Sequence, residues 1–410
     1  MSIIPGRKIF PLILLLFSIL IISLKTYITT ILFVFYFILS FAILDLIWLL
    51  INYKLASLQI SREIPAKLEE GDTLIFETII VNKGKLALSN LVIREDLPFA
   101  EKKDSIKTIL VDHLEADSTV KIRLECNCSK RGKYELRHVF LYFYDFFGLY
   151  CFTRKLGVYS EIYVYPKPFI IKKFPELKRG VSPWFGIETT HTSGEDDEFY
   201  GLREYKEGDP VKNIHWISTL RNNKLIVKQF QRQSYFRATL IFNLESGKNF
   251  GKERDTVMEY MIKIAASVAR YLICKNISVE IIAHSRDFVY MPFNKGMEHL
   301  ENIMRFLAVA EPESKVSLGE MFQDYSAYIS DNSSLICIML DKDWEYLPQM
   351  LPLSKRNVLL LPIILMSHTF IKDFEREDML MDAKQKVADT FDVKPIIVSQ
   401  GDNLEELFSK

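Results

Sequence analysis

This 410-residue chain is poor in cysteine and carries no net charge. Its cysteines are odd in number and lack the spacing of a disulfide framework or a zinc site: Cys126, Cys128, Cys151, Cys274 and Cys337. We therefore expect reduced thiols in the cytosol. Lysine plus arginine number 52, as do aspartate plus glutamate, so no whole-chain field attracts nucleic acid, and we expect no nucleic-acid partner.

Internal repeats and low-complexity segments are also lacking. At about 150 residues per domain, the length indicates two soluble domains plus additional segments. Among these segments are two apolar runs near the N-terminus, residues 9–24 and 31–51. A membrane-spanning helix needs about 20 apolar residues. The second run is long enough, whereas the first run needs residues 26–28 in addition, or a locally thinner bilayer. A cleaved signal peptide is the alternative for the first run, but no small-x-small cleavage pattern follows it. We predict a transmembrane hairpin over residues 1–54.

Positive charges flank this hairpin on the outside of both runs. Only Lys25 lies in the turn, whereas the flanks carry Arg7, Lys8, Lys54, Arg62 and Lys67. The positive-inside rule then predicts a multi-pass protein of the cell membrane whose soluble domains are cytoplasmic. Asp45 falls near the cytosolic end of the second run, where we expect its carboxylate to reach the interface or to face the partner helix.

Residues 55–165 have a β-strand pattern, with short β-like stretches at 73–81, 91–94, 120–124 and 139–144. Turn residues separate these stretches, which favours an immunoglobulin-like β-sandwich. The sequence Asp-Phe-Phe-Gly at 145–148 is similar to a kinase metal motif, but no other kinase element is present and a turn at a strand end explains it. The region carries no catalytic constellation.

Residues 236–410 alternate between apolar strands and amphipathic helices. Strands are predicted at 237–242, 278–282, 335–340, 358–364 and 395–398, and helices after the first strand and around 297–308, 373–390 and 404–407. This alternation predicts a doubly wound α/β domain with a parallel sheet covered on both faces.

A polar, aromatic segment at 194–230 lies between these two regions. Four acids at 195–198 open it, Gly208 supplies a turn, and Asp209 precedes a proline that suits the first position of a helix, so we expect Asp209 to cap a helix starting at Pro210. Asn222 and Asn223 suit a left-handed turn before a strand at 225–230. The segment is therefore predicted to be folded.

The segment resembles the signature of family fifty-eight of the domains of unknown function. The residues that carry the match are Gly194, Glu198, Phe199, Gly201, Arg203, Tyr205, Gly208, Asp209, Ile214, His215, Trp216, Arg221, Leu225, Val227 and Lys228. Members of this family have no agreed activity and are typically encoded beside MoxR-type AAA ATPases. The resemblance implies a hairpin (1–54), a β-sandwich (55–165), the signature (166–235) and a von Willebrand factor A-like domain (236–410). It also implies a MoxR-type AAA ATPase as partner and a role in assembly or maturation of a larger complex.

The signature has two structural interpretations that sequence leaves open. As an interdomain clamp, its cations would pair with nearby acids and Trp216 would fill the seam. As a docking surface, Trp216, Tyr205 and Arg203 would be exposed anchors for a partner. The candidate residues are Glu198, Arg203, Tyr205, Gly208, Asp209, His215, Trp216, Arg221 and Lys228.

A divalent-metal site is the alternative at the carboxyl ends of the strands. Asn243 and Glu245 follow the first strand and Asp341 follows the strand at 335–340. Metal-binding von Willebrand factor A-like domains place Asp-x-Ser-x-Ser after the first strand, since magnesium prefers hard oxygen ligands. Here the window has an amide first and Gly247 last, with Lys248 adjacent. We therefore expect no cofactor, and keep a metal-dependent enzyme or metal-gated binding domain as the alternative.

A hydrolase would have to use His215 as base, with Asp209 or an acid at 195–198 and Ser218 or Thr219 as nucleophile. No oxyanion-hole glycine motif accompanies them. The sequence favours a membrane-anchored adaptor without enzymatic activity.

Overall fold

A computed structural model describes residues 2–6, 8–26, 28–175, 197–209, 211–232, 237–252, 254–331, 333–346, 350, 352–353, 356, 358–371 and 395–409. The chain divides into two compact units, residues 1–167 and 168–410.

The first unit opens with strand β1 (Ser2–Pro5) and two helices, α1 (Ile9–Thr26) and α2 (Thr29–Leu55). Both helices are long and apolar enough to cross a membrane, and they contact each other. The predicted runs are confirmed as helices, each extended by a few residues. The apolar side chains that point outward from this hairpin suit a lipid environment.

Eight further strands form two sheets, which we call the two-sheet region. They are β2 (Leu58–Glu63), β3 (Lys67–Glu69), β4 (Thr73–Asn82), β5 (Leu88–Asp96), β6 (Ile106–Leu114), β7 (Ser118–Asn127), β8 (Gly132–Tyr144) and β9 (Tyr150–Tyr165). One sheet has the order β1-β9-β8-β5-β6, with β3 parallel to β9, and the other has the order β2-β4-β7. All four predicted stretches are strands. Side chains alternate between buried and exposed along β4 and β5, so each sheet buries one face in a shared core.

An ion pair lies inside this core. Arg62 Nη2 is 2.7 Å from Glu95 Oε2, and both side chains are fully buried. Thr78 Oγ1 also donates a hydrogen bond to Glu95 Oε1 at 3.1 Å. A buried carboxylate needs such partners, because desolvation otherwise penalises its charge.

The strand β1 ties the start of the chain to the two-sheet region. It pairs antiparallel with β9, Ser2 facing Thr153 and Pro5 facing Tyr150. Gly6 continues the contact, since a Cβ at this position would lie 2.0 Å from the carbonyl oxygen of Gly148. Both ends of the helical hairpin therefore join the same β-structure, which places them on one side of any membrane that it crosses.

The turn after β8 also contacts the hairpin. Its Asp145 carboxyl accepts hydrogen bonds from the backbone N–H groups of Phe147, Leu149 and Tyr150, so the Asp-Phe-Phe-Gly sequence is a turn, as predicted. Asp45 of α2 is buried, and Asp145 is among the groups that act on its carboxyl. The carboxyl therefore has a neighbour in the two-sheet region, which the sequence did not indicate.

The second unit contains β10 (Asp197–Glu204), α3 (Trp216–Asn222) and β11 (Ile226–Arg232), followed by an α/β region. The strands of that region are β12 (Arg237–Asn243), β13 (Gly251–Lys252), β14 (Asp255–Thr256), β15 (Ser278–His284), β16 (Phe288–Asn294), β17 (Ser334–Leu340), β18 (Leu359–Leu365) and β19 (Ile396–Val398). Its helices are α4 (Val257–Cys274), α5 (Met297–Val309), α6 (Leu318–Tyr325) and α7 (Leu404–Leu407). The helix predicted at 373–390 lies outside the described residues.

The α/β region is built on one six-stranded sheet with the order β16-β15-β12-β17-β18-β19. All neighbours are parallel except β16, an antiparallel edge strand that the sequence pattern did not indicate. Residues of β12 and β17 are almost all buried, as expected of strands covered on both faces. The chain runs from β12 to β15 on one side and returns to β17 on the other. The point where strand order reverses is therefore the gap between the carboxyl ends of β12 and β17.

Candidate functional site

Residues 197–232 fold as a β-hairpin with a short helix between its strands, which we call the signature hairpin. β10 and β11 are antiparallel, with Arg203 opposite Val227. Ile214 bridges back to Val227, and both side chains are buried beneath the helix α3. Asn223 ends α3 with a φ of 48°, which confirms the predicted left-handed turn. The prediction of a folded segment is confirmed for these residues.

A 3₁₀ turn at Val211–Asn213 directly follows Pro210, where the sequence predicted a helix start, and Pro210 itself lies outside the described residues. The α-helix α3 begins later, at Trp216, with His215 as its cap. His215 Nδ1 accepts the backbone N–H of Ser218 at 3.3 Å and lies 2.8 Å from Ser218 Oγ. Helix starts leave such N–H groups without partners inside the helix, and a side-chain acceptor satisfies them. The His215–Ser218 contact that a hydrolase would need is present here as a helix cap.

Asp209 binds Arg203 instead of capping a helix. Arg203 donates to both carboxylate oxygens, Nη1 to Oδ2 at 2.6 Å and Nη2 to Oδ1 at 2.7 Å. Asp209 also accepts the backbone N–H of Lys206 at 2.9 Å. These contacts outweigh burial and lower the pKa of Asp209 from its ordinary value of 3.8, Arg203 contributing most. Asp209 is therefore engaged by Arg203 and not by His215, and it fixes the turn at Gly208, whose φ is 106°.

The outer face of α3 is apolar and exposed. Trp216 is 60% exposed, Ile217 63% and Leu220 79%. Val211, in the turn before the helix, is 65% exposed. We call these four residues the α3 face. Large apolar side chains clustered on one exposed face are a feature of interaction surfaces.

The other predicted signature residues differ in exposure. Arg221 is exposed, while Tyr205 and Lys228 are half-buried. Lys228 lies opposite Leu202 in the hairpin. The exposed Lys224 pairs with Glu204 at 2.8 Å, a contact the sequence did not single out. The side chain of Glu198 and the acids at 195–196 lie outside the description.

The second candidate site is the crevice at the carboxyl ends of β12 and β17. Three charged side chains meet there: Lys248 Nζ is 2.8 Å from Glu245 Oε2 and 2.9 Å from Asp343 Oδ1. Asn243 lines the same cavity and donates from Nδ2 to the carbonyl of Val316 at 2.7 Å. We call Asn243, Glu245, Lys248 and Asp343 the crevice residues. Two predicted residues, Asn243 and Glu245, are thus brought together.

The third predicted metal ligand is placed differently. Asp341 Oδ2 faces His368 Nδ1 at 3.6 Å. The carboxylate that reaches the crevice is Asp343, which the sequence analysis missed. It lies in a 3₁₀ turn after β17, and its Oδ2 accepts the N–H of Leu340 at 3.1 Å, which folds it back over the strand end. Asp341 and Asp343 are two positions apart, and the sequence does not show which of the two carboxylates points into the crevice.

Among the described residues, no group of three or more His, Cys, Asp or Glu side chains could hold a metal ion. The crevice holds two carboxylates and an amide around a lysine, and its cavity of about 20 Å³ has room for one water molecule. A divalent cation does not fit beside the ammonium group, since like charges repel at this distance. All five cysteines are free thiols.

Comparison with known proteins identifies the region that contains both candidate sites. Residues 201–360 match the family model described as "Protein of unknown function DUF58". This part of the chain is therefore similar to the DUF58 family. The DUF58 match begins in β10 and ends in β18, so it takes in the signature hairpin and the crevice together. The resemblance that the signature indicated is confirmed.

A relative and two solved structures complete the comparison. The "Uncharacterized protein YeaD" of Bacillus subtilis (strain 168) is 22% identical over 277 residues, 64% of this chain and 65% of YeaD. The chain thus spans just under two thirds of that relative. A CARDB domain from Pyrococcus furiosus, solved with di-metal ions, is 12% identical, with 25% of this chain and 94% of that chain covered and a TM-score of 0.18. The bacterial hydrophobin BslA is 14% identical, with 28% and 98% covered and a TM-score of 0.20. At these TM-scores the two structures carry no conclusion about this fold.

Proposed function

We propose that this chain is a membrane-anchored, cytoplasm-facing adaptor without enzymatic activity. Its partner in this proposal is a MoxR-type AAA ATPase, and its task is assembly or maturation of a protein complex. The observation that carries the proposal is the α3 face, a solvent-exposed apolar surface within the DUF58 region. Such a surface costs solubility and is typical of a site that a partner covers.

The signature hairpin is a rigid support for that face. The two hydrogen bonds between Arg203 and Asp209 and the cap at His215 fix the backbone on both sides of the turn that precedes α3. A pre-ordered surface loses little conformational entropy on binding, which favours affinity. Trp216 is more than half exposed, which supports the docking interpretation.

Charge around the α3 face favours a particular partner surface. Lys212 and Arg221 are exposed and border the apolar residues along the chain. Basic side chains at the rim of an apolar patch accelerate encounter with an acidic surface, and the acceleration falls as salt rises. We therefore propose an acidic surface on the ATPase with an apolar centre.

The membrane anchor and its orientation follow from the first unit. The two apolar helices support a multi-pass anchor, and the pairing of β1 with β9 supports a hairpin whose two ends lie on one side. Lys8 and Lys54 at these ends favour the cytoplasmic side. In this proposal the two-sheet region is immunoglobulin-like. The proposal also takes the α/β region to be von Willebrand factor A-like. The reversal of strand order at β12 and β17 supports this part of the proposal.

The test is direct binding between the detergent-solubilised full chain and the purified MoxR-type ATPase, with ATP and with ADP. The double change Trp216→Ser, Leu220→Ser should raise the dissociation constant at least about tenfold, since buried aromatic anchors dominate interfaces. The matched control is Leu110→Ser, because Leu110 is 59% exposed on β6, in the other unit, and its loss should leave affinity unchanged. Absence of binding by the native chain in every nucleotide state would contradict the proposal.

We do not propose a metal-dependent enzyme. The position between Glu245 and Asp343 is taken by the ammonium group of Lys248, and no described residue arrangement favours the alternative.

A further inference from the structure

The carboxylates of the crevice bind a positive charge that the protein itself supplies, the ammonium group of Lys248. Lys248 Nζ lies between two carboxylates that come from different parts of the chain, Glu245 after β12 and Asp343 after β17. We propose that this ammonium group takes the place of a divalent cation in the crevice, and that removing it creates a site for one. This inference concerns the crevice alone and does not depend on the adaptor proposal.

The crevice contains oxygen atoms of the kind that a hard divalent cation prefers. Glu245 and Asp343 supply carboxylate oxygens. Asn243 adds an amide oxygen, because its Nδ2 donates to Val316 while its Oδ1 is buried without a hydrogen-bond partner. Asn243 is 8% exposed and lines the cavity. Two carboxylates and a carbonyl-type oxygen are a ligand set for Mg²⁺, Mn²⁺ or Ca²⁺, with water completing the coordination.

The surrounding backbone holds these groups in place independently of any ion. Asp343 is fixed by the N–H of Leu340. The loop after β12 is fixed at Ser314, which accepts the N–H of Ser246 at 2.8 Å and donates its own N–H to Leu244 at 3.0 Å. Without a cation, the two carboxylates would remain close together and repel each other.

Lys248 remains charged in this environment. Burial acts to lower the pKa of Lys248, but its hydrogen bonds to Glu245 and Asp343 outweigh burial and raise the pKa above the ordinary lysine value of 10.5. The cation is therefore present at any physiological pH, and its side chain is only 26% exposed. The cavity that remains, about 20 Å³, holds no more than a water molecule. The native crevice is thus independent of the supply of divalent ions.

The test measures Mn²⁺ binding to the tag-free, detergent-solubilised full chain. Electron paramagnetic resonance detects the bound ion. The native chain and Lys248→Arg should bind no Mn²⁺ in the crevice, because both carry a cation there. Lys248→Met should bind one Mn²⁺ per chain, and its thermal midpoint should rise with the logarithm of Mn²⁺ concentration. The variant Lys248→Met, Glu245→Gln, Asp343→Asn should lose that ion, which assigns it to the crevice.

Lys248→Gln covers the case in which Lys248→Met does not fold. Its amide can donate to a carboxylate while carrying no charge, so it should also bind one Mn²⁺. A folded Met or Gln variant that binds no Mn²⁺ overturns the proposal. So does a native chain that binds Mn²⁺ through Glu245 and Asp343 as tightly as either variant.

Discussion

Arg203 and Asp209 are joined by two hydrogen bonds of 2.6 and 2.7 Å across a turn of the signature hairpin. Both residues belong to the pattern by which the sequence resembles a family, and the side chains of both are engaged with each other. The signature therefore contains residues with two different roles, one structural and one proposed for binding. Arg203 and Asp209 maintain the shape of the hairpin, whereas the α3 face is available to a partner.

Replacing Arg203 by alanine should loosen the signature hairpin. It leaves the Asp209 carboxylate, which is only 6% exposed, without its cation, a loss of about 3 kcal/mol in local stability. Hydrogen exchange of the β10 and β11 amides should show this loss. Arg221→Ala is the control, because Arg221 is exposed, and it should leave exchange unchanged. Equal protection in Arg203→Ala and the native chain would rule out the structural role.

Low pH should destabilise the signature hairpin. The pKa of Asp209 is lowered in the folded state, chiefly by Arg203. The ionised Asp209 carboxylate therefore stabilises the hairpin fully at pH values well above 3.8, its pKa in the unfolded chain. This stabilisation is lost as the pH falls below 3.8 towards the lower pKa of the folded state. Exchange of the hairpin amides, corrected for intrinsic rates, should show falling protection from about pH 5 downward. Arg203→Gln should flatten this dependence, and a slope as steep as that of the native chain would contradict the assignment.

Arg62→Met should destabilise the two-sheet region by about 3–5 kcal/mol, because Glu95 would be left as a buried charge without its partner. The double change Arg62→Met, Glu95→Met should recover most of the loss, since packed apolar side chains replace a buried ion pair at little cost. Thermal unfolding of the three proteins in one detergent tests both statements. A double variant less stable than Arg62→Met would show that the pair itself stabilises the fold.

Gly6→Ala should detach the strand β1 from β9. The new Cβ would lie 2.0 Å from the carbonyl oxygen of Gly148, so the backbone must move, at about 1–3 kcal/mol. Proteolysis and exchange should reveal a more accessible N-terminus. The matched control is Gly157→Ala in β9, where a Cβ meets nothing within 4 Å. If both variants behave alike, the close approach at Gly6 does not hold the strand.

Much of the fold was predictable because regular elements leave periodic patterns. Strand β4 is rich in β-branched and aromatic residues and is followed by turn residues, and β12 is a mostly apolar run, so both were located within a residue or two. Strand β1 left no such pattern, since its four residues precede an apolar helix and pair with residues about 150 positions away. Pairing at that separation depends on tertiary structure, which local periodicity does not record.

The sites were less predictable than the fold, for a related reason. Asn243 and Glu245 could be located because they follow a strand, whereas Asp343 acts through the direction that a 3₁₀ turn gives it. The cap at His215 was missed because Asp209 and Pro210 have the stronger local preference for a helix start. In the structure the Asp209 carboxylate is bonded to Arg203 and to the backbone N–H of Lys206.

The pairing of β1 with β9 also sets an order of events during synthesis. Residues 2–5 leave the ribosome first, but their partners at 150–153 are made almost 150 residues later. In between, both apolar helices and most strands of the two-sheet region are translated. The sheet can therefore be completed only after both helices have been translated. If the helices span a membrane, as we propose, a chain in which only one of them crossed would have β1 and β9 on opposite sides and could not form this pairing.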